Sequence, residues 1–255
     1  MSILLIDIGN SRIKWFFDTP ATPITATTTP YAVSHHQEDW LTILARDWQT
    51  QIAPLECRIS NVAHESVFNA VLSLLSQIYP KLYIQKITPQ AKHAGLKLTY
   101  DITQMGADRY AQLLGAQTIG KGQDHLVISA GTATTIDGVQ ADGQHVGGII
   151  VPSMDLMRKS LHQYTAKLPL AGGNVHPKQS PLNTLDALAN GTHLATIGAV
   201  QAFMMRYMKH QGKDCAIVLC GGNAHLIATD LPSTRVYLAP ALCLLGLKSY
   251  APSNQ

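Results

Sequence analysis

One pattern occurs twice in the chain, and it restricts the possible folds more than any other feature. The segments ILLIDIGNSRIKWFF near the N-terminus and LVISAGTATTIDGV near the middle each read as an apolar strand, a tight turn that contains a glycine, and a second strand. Aligned on their glycines, residues 7–10 correspond to residues 129–132. A glycine in such a turn lets backbone N–H groups approach a phosphate without a Cβ atom in the way. We expect the two turns to bind one polyphosphate from both sides.

Strands and helical segments alternate after each of the two hairpins. In residues 66–79, for example, apolar side chains recur at helical spacing on one face. Strands that alternate with helices, led by antiparallel hairpins, are typical of a mixed sheet with helices on its faces. The sequence therefore predicts an α/β fold of two duplicated domains, 1–119 and 120–255, with a nucleotide cleft between them.

The composition argues against several classes of partner and location. Only 14% of the 255 residues are charged, the net charge is +3, and Lys and Arg form no run, so neither nucleic acid nor a membrane is an expected partner. The apolar run at the N-terminus is broken at Asp7, which argues against a signal peptide or a membrane span. The absence of a CxxC pair favours buried free thiols in a reducing compartment for Cys57, Cys215, Cys220 and Cys243. The sequence thus predicts a cytoplasmic location.

Asp7 and the turn after it carry the strongest local signal for chemistry. A carboxylate at the end of an apolar strand needs a partner, and Mg²⁺, bound directly or through water, would supply one. Asn10 and Ser11 can donate hydrogen bonds to a phosphate, and Lys14 can return on the second strand as a positive charge beside it. The alternative is an Asx turn that closes a hairpin, with Asp7 bonded to local N–H groups. Neither GxxxxGK[ST] nor GxGxxG is present, so neither a P-loop nor a Rossmann site is indicated.

Two further segments have both a chemical and a purely structural interpretation. The segment GADR (106–109) opens a helix after a loop. Asp108 there can be a helix cap, or it can accept a proton from a substrate hydroxyl while Arg109 binds a carboxylate or amide. The glycine pair at 221–222 can expose backbone for a flat adenine ring, or it can be an ordinary tight turn. The eleven histidines show no metal-binding spacing, so zinc is not expected.

Taken together and in this order, six segments resemble the type III pantothenate kinases, members of the acetate and sugar kinase, Hsp70 and actin superfamily. The segments are DIGNSRIK (7–14), Tyr100 before GADR (106–109), SAGTATTID (129–137), GGIIVPS (147–153), YTAKLP (164–169) and NTLDALANG (183–191). The resemblance covers nearly the whole chain and implies two actin-like (ribonuclease H-like) domains. It implies an ATP-dependent kinase that converts pantothenate to 4′-phosphopantothenate, the first step of coenzyme A biosynthesis. It also implies a homodimer that needs Mg²⁺ and a monovalent cation, K⁺ or ammonium.

Carried over residue by residue, the resemblance assigns roles to both turns and to the GADR segment, with Asp108 as the general base. The residues expected at ATP, with Asp7 also at Mg²⁺, are Asp7, Ile8, Gly9, Asn10, Ser11, Arg12, Ile13, Lys14, Gly131 and Thr132, to which the glycine pair adds Gly221 and Gly222. The residues expected at pantothenate are Tyr100, Gly106, Ala107, Asp108, Arg109, Thr165 and Thr184, the last within one chain or from the partner subunit. These groups suit phosphoryl transfer, which needs charge neutralisation and in-line positioning more than covalent help.

The chain departs from the pattern of this family at four positions. Ser129 stands where these kinases usually have an Asp that helps to bind the monovalent cation, and a hydroxyl is a much poorer cation ligand than a carboxylate. Ser11 replaces the usual Thr and keeps its hydroxyl, Ser153 replaces a Gly after the proline, and Thr99 replaces another polar residue. We therefore expect the requirement for K⁺ or ammonium to be lost, whereas the other proposed chemical groups are all present.

Two alternatives stay open at this point. The chain could phosphorylate another small acceptor, such as a sugar, acetate or a polyphosphate. The residues around Tyr100, Arg109 and Thr184 would discriminate, because a sugar needs several hydrogen-bond acceptors for its ring hydroxyls. The chain could instead be a non-catalytic regulatory protein of the same fold. The presence of Asp7, Lys14 and Asp108 and the absence of a basic DNA-binding segment argue against that second alternative.

Overall fold

Each of the two predicted hairpins lies in its own unit of the chain. The structure, a computed structural model, describes residues 2–120, 122–176, 179–208, 215–231 and 235–250. One unit holds the chain up to Gly122, the segment Asp142–His145 and the chain from Ala239 onward, and the other holds Gln123–Ala141 and Val146–Leu238. The domain limits 1–119 and 120–255 stay a prediction.

A five-stranded mixed sheet forms the centre of the first unit. Its strands are β1 (Ile3–Ile8), β2 (Arg12–Asp18), β3 (Tyr31–Ser34), β4 (Glu56–Asn61) and β5 (Tyr83–Lys86). They lie in the order β3-β2-β1-β4-β5, with β2 antiparallel to β1 and β3, and β4 parallel to β1 and β5. A separate short hairpin follows, formed by β6 (Lys92–His93) and β7 (Leu96–Lys97).

Helices pack against this first sheet. They are α1 (Trp40–Gln49), α2 (Glu65–Ile78), α3 (Ala107–Gly120) and, from the end of the chain, α7 (Leu242–Ser249). Successive residues of a strand point to opposite faces, so Ile6 and Ile8 enter the core formed with α1 and α2, whereas Asp7 lies on the other face. The side chain of Asp7 meets Cys243 of α7 there. The acidic residue therefore faces the side of the sheet to which α7 belongs.

The helices α3 and α7 approach each other so closely that glycine is needed at two positions. A Cβ atom at Gly246 would lie 1.7 Å from Ala111 O, and one at Gly115 would lie 2.3 Å from Leu242 O. No side chain fits at such separations, so the two backbones pack directly on each other. This contact holds α7 against the middle of α3.

The second unit repeats the arrangement of the first sheet. Its elements are β8 (His125–Ala130), β9 (Ala133–Val139), β10 (His145–Pro152), α4 (Met154–Tyr164), α5 (Thr184–Tyr207), β11 (Ala216–Cys220), α6 (Ala224–Ile227) and β12 (Val236–Leu238). The strand order is β10-β9-β8-β11-β12, with β8 antiparallel to β9, and β11 parallel to β8 and β12. The helices α4, α5 and α6 share one hydrophobic core with the sheet. The predicted α/β fold with two mixed, helix-flanked sheets is confirmed.

Some elements differ from the sequence expectations. The Thr- and Pro-rich composition of residues 19–34 suits short edge strands or an irregular surface and favours the second, but this segment ends in the edge strand β3. Residues 89–106, which read as a loop, contain the hairpin β6–β7. Helix α1 has no counterpart in the sequence prediction. The long helix expected over 184–210 is α5 as far as Tyr207, and residues 209–210 lie outside the described residues.

The cysteines agree with the sequence prediction. All four are buried and none forms a disulfide. In the part of the chain that the structure describes, none of the helices combines the length and the apolar character needed to cross a membrane. A cytoplasmic location stays a prediction.

Candidate functional site

The first candidate turn connects β1 to β2. Gly9 N donates a hydrogen bond to Arg12 O at 3.0 Å, so backbone groups close the turn without the side chain of Asp7. The strand register places Lys14 opposite Asp7 on β2, and Ser60 opposite Asp7 on β4. Three polar side chains thus lie in one row across strands that are otherwise apolar. This row is the starting point of the candidate site.

The other predicted residues of this turn divide between core and surface. Ile8 and Ile13 are fully buried partners in the hairpin, so a ligand can meet only their backbone. Asn10 and Arg12 are exposed, and Ser11 is half-buried. The side chains that could bind a phosphate are therefore the ones at the tip of the turn.

Asp7 is a buried carboxylate with an unusual set of neighbours. It is 6% exposed, and burial raises its pKa, whereas the charge of Lys14 and the nearby Cys243 thiol and Ser60 hydroxyl oppose that rise. The Ser60 hydroxyl lies close to the carboxyl group without a well-aligned hydrogen bond to it. Among the described residues, Asp7 Oδ1 and Ser60 Oγ are buried and have no hydrogen-bond partner. Buried oxygens of this kind need an ion, a water or a ligand to offset their desolvation.

Asp108 lies in the first turn of α3, with its carboxyl group folded back over the start of the helix. Its Oδ1 accepts a hydrogen bond from Arg109 N at 2.7 Å. A Cβ atom at Gly106 would lie 2.8 Å from Oδ1, so the glycine leaves room for the carboxyl group. Burial, and then the negative charge of Asp7, raise the pKa of Asp108 from 3.8 to about 6. A carboxylate with this pKa is suited to accept a proton near neutral pH.

Arg109 and Tyr100, both predicted at pantothenate, contact each other. Arg109 is 5% exposed, and its guanidinium carbon lies 4.6 Å from the centre of the Tyr100 ring. Tyr100 also lies near the buried His145, with 6.3 Å between the two ring centres, and Thr99 Oγ1 donates a hydrogen bond to His145 O at 2.7 Å. Packing on an aromatic ring fixes the plane of a guanidinium group, which favours bidentate binding of a carboxylate.

The second candidate turn connects β8 to β9 and is one residue shorter than the first. Gly131 N donates a hydrogen bond to Ala133 O at 3.1 Å. The glycine pair at 221–222 packs against the end of β8: a Cβ atom at Gly221, whose φ is +99°, would lie 2.4 Å from Ala130 O. Asn223 N donates a hydrogen bond to the same oxygen at 3.1 Å. Within the second unit, the two turns predicted to bind nucleotide are therefore adjacent.

Three further predicted residues lie on strands and helices of the second unit. Ser129 precedes the turn on β8, opposite Cys220 of β11. Thr165 follows α4, and its Oγ1 donates a hydrogen bond to Leu161 O at 2.7 Å. Thr184 is the exposed first residue of α5. Because the Thr165 hydroxyl donates its hydrogen bond to Leu161 O, its position needs no ligand to explain it. The binding roles of Thr165 and Thr184 stay predictions.

The sequence analysis missed three neighbours of the candidate site. Ser60 meets Asp7 through the parallel pairing of β1 with β4, which the strand pattern alone does not specify. Cys243 meets Asp7 because the last helix returns to the first unit. His145, the first residue of β10, is far along the chain from Tyr100. These contacts join distant parts of the sequence, and no local motif signals them.

The pKa of Asp108 provides a direct test of this geometry. In protein free of nucleotide and metal, we expect the Asp108 carboxyl carbon to titrate at about pH 6 by ¹³C NMR. The exposed Asp101, which accepts hydrogen bonds from Thr103 and Gln104, should titrate below 3.8 and serves as an internal control. Asp7→Asn removes one cause of the rise, so the Asp108 midpoint should fall in that variant. Equal midpoints for Asp108 and Asp101, or a rise in the variant, would contradict the arrangement.

Solved structures of other proteins share the fold of this chain. A Baf family transcriptional activator from Campylobacter jejuni, as that structure is described, matches 96% of this chain and 95% of its own at 19% identity, with a TM-score of 0.62. The activator of the 2-hydroxyisocaproyl-CoA dehydratase from Clostridium difficile, solved with bound ADPNP, matches 98% of this chain and 94% of its own at 12% identity, with a TM-score of 0.55. Likeness at this level of identity shows the fold alone, and the chain has an actin-like α/β fold.

Sequence similarity is more specific than the fold. The sequence profile of the family described as type III pantothenate kinase matches residues 3–206. A type III pantothenate kinase from Azoarcus sp. (strain BH72) is 37% identical over 256 residues, which cover 99% of this chain and 91% of the relative. The chain belongs to the type III pantothenate kinase family, and the resemblance stated from its motifs is confirmed.

Proposed function

We propose that this protein transfers the γ-phosphate of ATP to the hydroxyl of pantothenate, giving 4′-phosphopantothenate in the first step of coenzyme A biosynthesis. Membership of the type III pantothenate kinase family supports this reaction. Within the chain, the proposal is carried by the two carboxylates Asp7 and Asp108, which are close enough for the charge of one to raise the pKa of the other. Two acids with different neighbours can take different roles, one at the metal and one at the acceptor.

Asp108 is the proposed general base. A pKa of about 6 leaves it largely ionised at neutral pH, so it can accept the proton of the pantothenate hydroxyl during transfer. The hydrogen bond from Arg109 N fixes the position of one carboxyl oxygen. Gly106 and Ala107 contribute the start of α3 from which the carboxyl group projects, and they border the pantothenate pocket in this proposal.

Tyr100 and Arg109 are proposed to bind the carboxylate or the amide of pantothenate. Their stacking supports this role, because an oriented guanidinium group binds a planar anion with little loss of side-chain freedom. Thr165 and Thr184 are proposed as further contacts, Thr184 from the same chain or from the partner subunit.

The proposed ATP contacts come from both hairpin turns. In the first, residues 7–14 would hold the phosphates through backbone N–H groups, the tip side chains and Lys14. In the second, Gly131 and Thr132 would contact phosphate, and Gly221 and Gly222 would lie under the adenine ring. That both turns bind the same ATP molecule stays a prediction.

The surroundings of Asp7 suit Mg²⁺, which the family resemblance implies. Asp7 Oδ1 and Ser60 Oγ are buried oxygens without a partner among the described residues, and oxygen atoms are the ligands that Mg²⁺ prefers. We propose that Asp7 holds the ion directly or through water. When bound, Mg²⁺ neutralises charge on the ATP phosphates.

The position predicted to bind a monovalent cation lacks a charged ligand for it. Ser129 lies there, and the residues paired with it across the sheet are Thr135 and Cys220, so this row carries no negative charge. We expect ADP release to proceed equally well in buffers without K⁺ or ammonium, with tetramethylammonium chloride holding the ionic strength. The variant Ser129→Asp is expected to introduce a response to K⁺. Negligible wild-type activity without these cations would mean that another residue supplies the missing carboxylate.

A homodimer is proposed from exposed apolar side chains of the second unit. The neighbouring helices α4 and α5 carry large apolar side chains that are at least 39% exposed: Leu156, Leu161, Tyr164, Leu185, Leu194, Met205 and Tyr207. Of these residues, Leu194 and Met205 lie on the same face of α5, and an exposed apolar patch marks an interaction site.

The expected dimer mass is about twice 27.6 kDa by sedimentation. Leu194→Asp, at a side chain that is 65% exposed, should shift the protein toward the monomer. Ile52→Asp, at an 88% exposed position of the first unit, is the matched control and should remain dimeric. A monomeric wild type at micromolar concentration would contradict the proposal.

A coupled ADP-release assay tests the proposed function. Wild-type protein with Mg-ATP is supplied in turn with pantothenate, several sugars, acetate and a polyphosphate. ADP release that depends on pantothenate is the expected result. Release only with one of the other acceptors would assign a different substrate, and no release with any acceptor would favour the non-catalytic alternative.

A further inference from the structure

Two side chains border the Asp7 carboxylate, and neither has a role in the reaction proposed so far. Ser60 is fully buried and pairs directly with Asp7 across β1 and β4. Cys243 is 7% exposed, and its thiol lies against the same carboxylate from α7. Both neighbours favour the ionised form of Asp7. They therefore act on the carboxylate that the proposed function places at Mg²⁺.

We propose that Ser60 and Cys243 are positioning residues that orient the Asp7 carboxylate so that its Oδ1 is directed at the metal ion of Mg-ATP. The inference rests on the proposed function, because it needs Asp7 at the metal. It adds two residues from β4 and from the C-terminal helix to a site otherwise built from the first hairpin and the start of α3.

The need for such positioning follows from the surroundings of Asp7. The terminal torsion of an Asp side chain is broad, so the backbone does not fix where each oxygen points. Lys14, directly opposite on β2, attracts the carboxylate through its charge. Contacts from β4 on one side and from α7 above the strand restrict the rotation. Polar groups that orient a metal ligand commonly matter almost as much as the ligand itself.

The placement of Cys243 depends on how α7 is held. Its backbone packs on α3 at the glycine contact described above, and Arg58 of β4 caps its C-terminal end. Arg58 Nη1 donates hydrogen bonds to Leu247 O at 3.2 Å and to Lys248 O at 2.6 Å. A cation at the last carbonyl groups of a helix stabilises that end. The thiol is thus presented to Asp7 by a helix fixed at both ends.

The test measures metal binding without turnover. Mn²⁺ serves as the probe, in the presence of ADP, and its binding to the whole protein is followed by electron paramagnetic resonance. The variants are Ser60→Ala, Cys243→Ala and Cys243→Ser. Cys57→Ala is the matched control, since Cys57 is another buried cysteine of the first unit but lies in the core with α1 and α2. Thermal unfolding establishes that each variant is folded.

We expect Ser60→Ala and Cys243→Ala each to weaken Mn²⁺ binding by about tenfold, the usual scale for loss of a group that orients a metal ligand. Cys243→Ser keeps a donor and should recover most of the affinity, while Cys57→Ala should bind Mn²⁺ as the wild type does. In turnover, KM for Mg-ATP should rise while KM for pantothenate stays constant.

Wild-type Mn²⁺ affinity in either folded alanine variant would overturn the shared role. If Ser60→Ala fails to fold, the comparison of Cys243→Ala with Cys243→Ser decides, and equal affinities for these two overturn the proposal. A different result would contradict the proposed function. In that case wild-type protein would bind Mn²⁺ in the presence of ADP but would release no ADP from ATP when pantothenate is supplied.

Discussion

Replacing Asp108 with Asn is expected to lower kcat for pantothenate phosphorylation by about 10²–10⁴ and to leave the affinity for ATP nearly unchanged. The amide has the size of the carboxyl group, and its oxygen can still accept the hydrogen bond from Arg109 N that Asp108 accepts at 2.7 Å. The start of α3 should therefore keep its conformation, while the group that takes up the hydroxyl proton is lost. Steady-state kinetics measures kcat, and calorimetric titration measures ATP binding.

The matched control for this variant is Asp101→Asn. Asp101 is an exposed carboxylate a few residues before α3 that binds Thr103 and Gln104, and its loss should leave kcat within about twofold of the wild type because surface changes away from a site have small effects. Wild-type turnover in Asp108→Asn would remove Asp108 as the base. A large loss of ATP affinity in the same variant would instead place the residue at the nucleotide.

Replacing Asp7 with Ala is expected to abolish the use of Mg-ATP. Asp7 provides the buried carboxylate in the row formed with Lys14 and Ser60, and Oδ1 has no partner among the described residues until an ion arrives. Without that charge, Mg²⁺ has no acidic group at the end of β1, and Lys14 loses the negative charge opposite it. Activity is measured by ADP release as Mg²⁺ is varied from micromolar to millimolar.

Asp7→Asn separates the charge of Asp7 from its shape. The amide fills the same space, so the hairpin should form, but a neutral group is a poor ligand for Mg²⁺ and activity should stay at background. Restoration of activity at high Mg²⁺ in this variant would show that the site is weakened and that Asp7 acts through affinity. Activity at low Mg²⁺ in Asp7→Ala would count against any role of Asp7 at the metal.

The parts of the fold that the sequence predicts are those with a strong local signal. The two hairpins follow from apolar strands separated by glycine turns, and their repetition correctly predicts two mixed sheets; the shared strand order of these sheets is seen only in the structure. The Thr- and Pro-rich surroundings of strand β3 suit an edge strand or an irregular loop, and pairing with β2 makes it a strand. Helix α1 carries apolar residues at helical spacing, with Leu44 and Trp48 fully buried, so its signal was available in the sequence.

The residues of the candidate site likewise fall into those that the sequence predicts and those that it does not. Asp7 and Asp108 could be selected from the sequence because each stands at the boundary of an element, where a carboxylate needs a partner or a helix end. Ser60 and Cys243 could not, because their approach to Asp7 depends on which strands pair and on the return of the last helix to the first unit. The raised pKa of Asp108 likewise arises from burial and from the charge of Asp7 on β1, and neither is visible in a local motif.

Identification of the reaction product tests the central claim most directly. Wild-type protein is incubated with pantothenate and Mg-ATP, and the product is analysed by mass spectrometry and by ³¹P NMR with coupling to the neighbouring protons. A single monophosphate ester at the 4′ position of pantothenate, absent with Asp108→Asn over the same time, is the predicted result. ADP release without this ester, or the ester formed at an undiminished rate by Asp108→Asn, would contradict the account.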